Sequence, residues 1–188
     1  MTVSADLDRR FRDAAATAGL LDIGFDVVDS PIGPLLVAAS DRGLARISFS
    51  ATFDPEETIA SLARAFGPRI LRSSRTIDPA RRQLDEYFDG RREGFELDVD
   101  LRGVPEFTRR VLNELTRVPY GRTTTYAQLA ASAGAPRAAR AVGAVMNRNR
   151  IPIVLPCHRV VGTNGSLTGY AGGLDAKERL LRLEGALL

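Results

Sequence analysis

One cysteine and one histidine occur in the 188 residues, and they are neighbours: Cys157 and His158, within IPIVLPCHRVV at 151–161. A lone cysteine is often a small, buried, inert side chain. A thiol becomes a nucleophile only as thiolate, which needs a positive or proton-accepting neighbourhood. His158, Arg159 and a turn after Pro156 are the candidates to supply it. Pro156 donates no ladder hydrogen bond and biases Leu155 to extended backbone. The apolar run Ile151–Leu155 therefore reads as a strand that ends there and hands the thiol to a turn. Adjacent side chains on a strand face opposite ways. His158 then reaches the sulfur only if the backbone bends, or through a water.

Around this pair the chain must supply a scaffold. Residues 4–19 read as a helix ending at Gly19, and residues 25–49 as three β-prone runs separated by Ser30-Pro31-Ile32-Gly33 and Asp41-Arg42-Gly43. Asp54-Pro55-Glu56-Glu57 has the cap, proline and acidic first turn of a helix that runs to Gly67. A short strand at 69–72, a helix from Asp78 to Phe88 and an alternating strand FELDVDL at 95–101 complete an α+β domain with a three-stranded antiparallel sheet. It holds no cysteine or histidine and reads as a scaffold. After Gly103-Val104-Pro105, residues Phe107, Val111, Leu112 and Leu115 recur at helical spacing. Thr124 or Thr125 caps a short helix, Gly134–Pro136 turns the chain, and a helix runs from Arg137 to Asn147. Two short helices about a glycine-containing turn fit a helix-turn-helix. The expected division is an extension at 1–22, the α+β domain at 23–103, and a mostly helical domain with an active-site loop at 104–188.

Three blocks, YGRTTTYAQLA, PRAARAVGAVMNRN and PCHRVVGTNGSLTGYAGGLDAKERLLRLEG, resemble in order and spacing the O6-alkylguanine-DNA alkyltransferases, over residues 104–186. The resemblance implies a ribonuclease H-like first domain and direct repair: the alkyl group of an O6-alkylated guanine passes to Cys157 after the nucleotide flips out of the duplex. It makes His158 the base acting through a water, Glu184 the group that holds His158, Tyr126 the proton donor to the base, and Asn149 the tie between the active-site turn and the helix-turn-helix. Arg140 becomes the finger filling the gap left by the flipped nucleotide. Arg137, Ala138, Ala139 and Gly143 line a helix that enters the minor groove, and Met146 and Pro152 wall the alkyl pocket. Val160 and the Cys157 carbonyl read the guanine edge, Tyr170, Ala171 and Gly172 form the lid, and Lys177 bridges lid and site. Arg150 and Ala171 stand where some relatives have proline and serine.

A thioether offers water no carbonyl and has no good leaving group, so one transfer per molecule is expected, with no cofactor and no metal. One cysteine excludes an internal disulfide and a zinc site of the usual Cys and His type. It suits a reducing cytoplasm. No apolar run approaches the ~20 residues of a membrane span, and the N-terminus lacks the apolar core of a signal peptide. A net charge of +3 permits a polyanionic partner. The expected partner is double-stranded DNA containing O6-alkylguanine, with O4-alkylthymine a further candidate substrate. The protein is expected to be a monomer in solution, with cooperative assembly on DNA open. Three rivals stand beside this reading: a cysteine hydrolase, a non-catalytic alkyltransferase-like damage sensor, and a plain helix-turn-helix regulator. The sensors replace the nucleophile, often by tryptophan, and this chain has Cys157 and no tryptophan.

Overall fold

The computed structural model describes residues 4–49 and 54–187. The chain divides into two compact units, Met1–Asp85 with Glu96–Arg102, and Glu86–Phe95 with Gly103–Leu188. The last of these crossings falls between Arg102 and Gly103, and residues 86–95 join the second unit in addition.

In the first unit, α1 (Ala5–Thr17) starts at Ser4, whose hydroxyl accepts from the Leu7 N–H at 3.3 Å. Strands β1 (Ile23–Val28), β2 (Leu35–Ser40) and β3 (Gly43–Phe49) form the expected antiparallel meander. The short strand β4 (Ile70–Arg72) then pairs parallel to β1, so the sheet has four strands in the order β3-β2-β1-β4. All six residues of β2 are buried, as its central position requires. Helix α2 (Pro55–Phe66) has the predicted start: the Asp54 carboxylate accepts from the Glu56 and Glu57 N–H groups at 2.8 and 3.2 Å. Leu62 from α2 packs with Ile23, Leu36, Ala38 and Ala45 of the sheet into one apolar cluster.

Two expectations in this unit are corrected. Helix α3 spans Ser74–Phe88, one turn earlier than the Asp78-Pro79 pair suggests, and carries Pro79 inside it. Proline costs a helix one backbone bond. Here burial of Ile77, Ala80 and Leu84 offsets that cost. The FELDVDL run is not a strand. It meets β3 through a single bridge, with Leu44 N–H on Asp98 O and Asp100 N–H on Leu44 O, both 2.8 Å. Alternating polarity reports one-sided burial, which an extended loop shares with a strand; only a ladder of bonds separates them. Gly43 permits this approach, because at φ 123 a Cβ there would lie 2.2 Å from Asp98 O.

The second unit begins with the last turn of α3 and continues with α4 (Glu106–Leu115), which buries Val111, Leu112 and Leu115 as the spacing predicts. A two-residue strand β5 (Thr124–Thr125) leads into α5 (Tyr126–Ser132). Thr125 caps α5 in a capping box: it accepts from Gln128 N–H at 3.1 Å while Gln128 Oε1 accepts from Thr125 N–H at 2.9 Å. After the turn at Gly134, α6 (Ala139–Asn147) begins two residues later than expected, with Ala138 as its cap residue. Strand β6 (Val160–Val161) pairs parallel with β5, and α7 (Gly173–Leu183) closes the unit. No helix among the described residues is long and apolar enough to cross a membrane.

Candidate active site

The loop after α6 is shaped by one side chain. Asn149 donates from Nδ2 to Leu155 O at 2.8 Å and accepts from Ile151 N–H at 3.0 Å through Oδ1. Leu155 N–H in turn donates to Ile151 O at 2.9 Å. The run Ile151–Leu155 is therefore a closed turn, not the expected strand. Ile153 sits at φ 75 within it, a strained position for a β-branched residue. Burial of Ile151, Ile153 and Leu155 holds the strain in place.

Residues Cys157–Arg159 then form a single 3-10 turn. At three residues per turn, successive side chains point about 120° apart. Cys157, His158 and Arg159 thus diverge in three directions, within the turn expected to carry the thiol. His158 Nε2 lies 2.8 Å from Glu184 Oε1, with both side chains fully buried. Glu184 follows α7 directly and also accepts from Arg159 Nε at 2.8 Å, Arg159 Nη2 at 2.9 Å and Tyr87 Oη at 2.7 Å. Gly121, at φ 70, lets the loop after α4 pass Glu184, since a Cβ there would lie 2.8 Å from its carbonyl oxygen.

Burial alone would raise the Glu184 pKa, but the hydrogen bonds from His158 and Arg159 outweigh it and bring it down to about 2. Glu184 is thus a carboxylate at neutral pH, and His158 Nε2 must carry the proton between them. Burial lowers the His158 pKa, with Glu184 opposing, so the ring is neutral with its lone pair on Nδ1. That Nδ1 is buried and has no hydrogen-bond partner among the described residues.

The sulfur departs from expectation. Cys157 is 4% exposed, and burial pushes its thiol up to about 11, against the Asn149 side chain and the Lys177 charge. An accessible thiolate is not its resting state. Arg159, expected to lower the thiol pKa, instead points at Glu184 and donates from Nη1 to Val118 O at 2.6 Å. The cation that acts on the sulfur is Lys177, fully buried, which donates to Val160 O at 2.6 Å and Thr168 O at 3.0 Å.

The remaining candidates fall into two groups. Tyr170 stacks edge-on against His158 at 6.4 Å, and Ala171 beside it is exposed. Met146 and Pro152 are buried, whereas Val160 spends its N–H on Cys157 O. Tyr126 opens α5, with its hydroxyl 2.9 Å from Thr168 Oγ1. Arg137 and Arg140 are exposed at the start of α6, beside half-buried Ala138, Ala139 and Gly143. Sequence reasoning missed Tyr87, Thr168 and the true role of Arg159. Only Arg159 carried a signal, its place beside His158.

Two family models match the chain: "6-O-methylguanine DNA methyltransferase, ribonuclease-like domain" over residues 23–101, and "6-O-methylguanine DNA methyltransferase, DNA binding domain" over 106–186. A methylated-DNA–protein-cysteine methyltransferase of Methanosarcina barkeri is 43% identical over 85% of this chain and 96% of its own. One from Mycolicibacterium paratuberculosis is 44% identical over 86% and 92%. The crystal structure of Mycobacterium tuberculosis OGT in complex with DNA superposes with a TM-score of 0.75 at 37% identity, covering 87% of this chain and 93% of that one.

Proposed function

The chain belongs to the 6-O-methylguanine DNA methyltransferase family, and from that membership we propose that it repairs O6-alkylated guanine in duplex DNA by moving the alkyl group onto its own Cys157. The observation that carries this reading is the buried relay in which Glu184 accepts the hydrogen bond from His158 Nε2–H and leaves Nδ1 as acceptor, next in the chain to the only cysteine. His158 takes the thiol proton through a water, and the sulfur attacks the alkyl carbon as the carbon–oxygen bond breaks. Tyr126 gives its phenolic proton to the departing purine and regains one from His158 through solvent. Protons balance, and no charge leaves with the base.

A neutral, buried thiol is protected from stray electrophiles, so activation belongs to the bound state. A flipped base enters as the segment from Thr168 to Gly173 yields, where Gly169, Ala171 and Gly173 are exposed. DNA as partner is supported by the match of 106–186 to a DNA binding domain and by the likeness to a protein solved with DNA. The small residues of α6 let it approach a minor-groove floor, with Arg140 stacking in the vacancy. Such a protein acts as a monomer in the cytoplasm.

Peptide mass mapping after incubation with O6-methylguanine duplex tests the reading. One methyl group appears on the peptide carrying Cys157, the yield plateaus at one equivalent, and Cys157→Ser binds the duplex without accepting the group. Methyl release beyond one equivalent overturns it in favour of a turnover enzyme. Arg140→Ala slows repair of duplex more than reaction with free O6-alkylguanine base; equal losses remove the finger role.

A further inference from the structure

Apart from the groups assigned above, one hydroxyl lies where three elements of the second unit meet. Thr168 Oγ1 is 2.9 Å from Tyr126 Oη at the start of α5, and the Thr168 carbonyl accepts from Lys177 Nζ of α7 at 3.0 Å. The same ammonium holds Val160 O of β6 at 2.6 Å. A Cβ on the next residue, Gly169, would lie in ordinary contact, 3.8 Å, with Asn147 Oδ1 at the end of α6. Thr168 is therefore anchored through its main chain by a fully buried cation, while its side chain faces the phenol.

A phenol carries a single hydrogen. If Tyr126 spends it on Thr168, none remains for a purine. If Thr168 donates instead, the phenolic hydrogen is free, and a donor already faces the oxygen on which negative charge gathers as that proton leaves. We propose that Thr168 is a positioning residue for Tyr126: its hydroxyl donates to the phenol oxygen and keeps the phenolic proton for the flipped base. The inference rests on the alkyl transfer proposed above and extends it by one residue. Lys177 acquires a second consequence, because by fixing the Thr168 carbonyl it fixes where the hydroxyl stands. Threonine suits the task because its branched Cβ restricts χ1 and so keeps the hydroxyl on one bearing.

The test is a double-mutant cycle on single-turnover transfer from O6-methylguanine duplex. Thr168→Val slows transfer by about five- to tenfold, the cost of one hydrogen bond. Thr168→Ser regains most of the rate, and Thr168→Val adds no further loss in a Tyr126→Phe background. The inference is overturned by an equal Thr168→Val loss in that background, by a serine variant as slow as valine, or by a valine variant at the wild-type rate. Thermal unfolding is followed for each variant, and Thr168→Ala completes the same cycle should the valine variant not fold. Wild-type protein in the same assay separates the two levels. Its failure to accept a methyl group sinks the alkyl transfer itself, whereas normal transfer with an additive cycle sinks only the role of Thr168.

Discussion

Asp100 and Glu184 are carboxylates of the first and second unit, each 5% exposed and each held by an arginine. Asp100 accepts from Arg102 Nε at 2.8 Å and from Ser40 Oγ at 2.6 Å, and Arg102 extends toward solvent with 34% of its side chain exposed. Burial raises the Asp100 pKa, but the bonds from Arg102 and Ser40 outweigh it and the carboxyl stays below its ordinary value. That cluster closes on itself. The Glu184 cluster includes Arg159 at only 7% exposure and adds a histidine whose far nitrogen has no partner among the described residues. A buried, arginine-paired carboxylate is therefore no mark of catalysis by itself. What distinguishes the second cluster is the spare acceptor it maintains on the residue next to the only cysteine.

The largest expected effect breaks this pairing at its centre. Glu184→Gln leaves Arg159 as a buried, uncompensated cation and removes the partner that fixes the His158 tautomer. We expect a loss of about 3–5 kcal/mol by denaturant unfolding and a fall in single-turnover transfer of about a hundredfold or more. Retained transfer at the wild-type rate would erase the distinction between the two clusters.

Next in size is the alkaline limb of stability. Folding raises the Cys157 pKa from an ordinary 9.0 to about 11, so between those values the unfolded chain sheds a proton that the folded chain keeps. Stability contributed by the buried thiol is whole below pH 9 and declines as pH rises, by about 2–3 kcal/mol at most. The difference between wild type and Cys157→Ser, measured by denaturant unfolding from pH 8 to 11, isolates this limb because every other ionisable side chain is common to both proteins. A flat difference would mean that the sulfur is not sealed from water.

Asp100→Asn sharpens the comparison from the other side. It should cost about 1–3 kcal/mol, the range for a weakened buried polar partner, and leave the transfer rate unchanged. The smallest effect concerns α6. A Cβ at Gly143 would lie 3.9 Å from the Tyr126 ring, an ordinary contact, so Gly143→Ala should fit and stabilise the helix by about 0.5–1 kcal/mol. If the residue is small so that DNA can approach, the same variant binds duplex more weakly; equal binding would return Gly143 to simple helix packing.

Short-range chemistry was legible residue by residue. Asp54 and Thr125 cap the helices that their types and neighbours indicate, because a side-chain oxygen reaches N–H groups two or three residues on whatever the rest of the chain does. The pairing of Cys157 with His158 and the resemblance of three ordered blocks pointed to the candidate sulfur in the same way. Periodicity failed where two structures share one pattern. Ile151–Leu155 and FELDVDL both look like strands, yet Asn149 folds the first into a turn and a single bridge holds the second.

The sequence by itself singled out the candidate nucleophile, the caps of α2 and α5, the meander and the family likeness, all of which rest on local sterics or on residue order. Only the tertiary structure decided who else surrounds the pair of Glu184 and His158. Tyr87 arrives from 97 residues away, Arg159 turns from the thiol it was expected to charge, and Thr168 meets Tyr126 across 42 residues. A buried polar atom takes whichever partner the packed chain brings within about 3 Å, and no local rule in the sequence names that partner in advance.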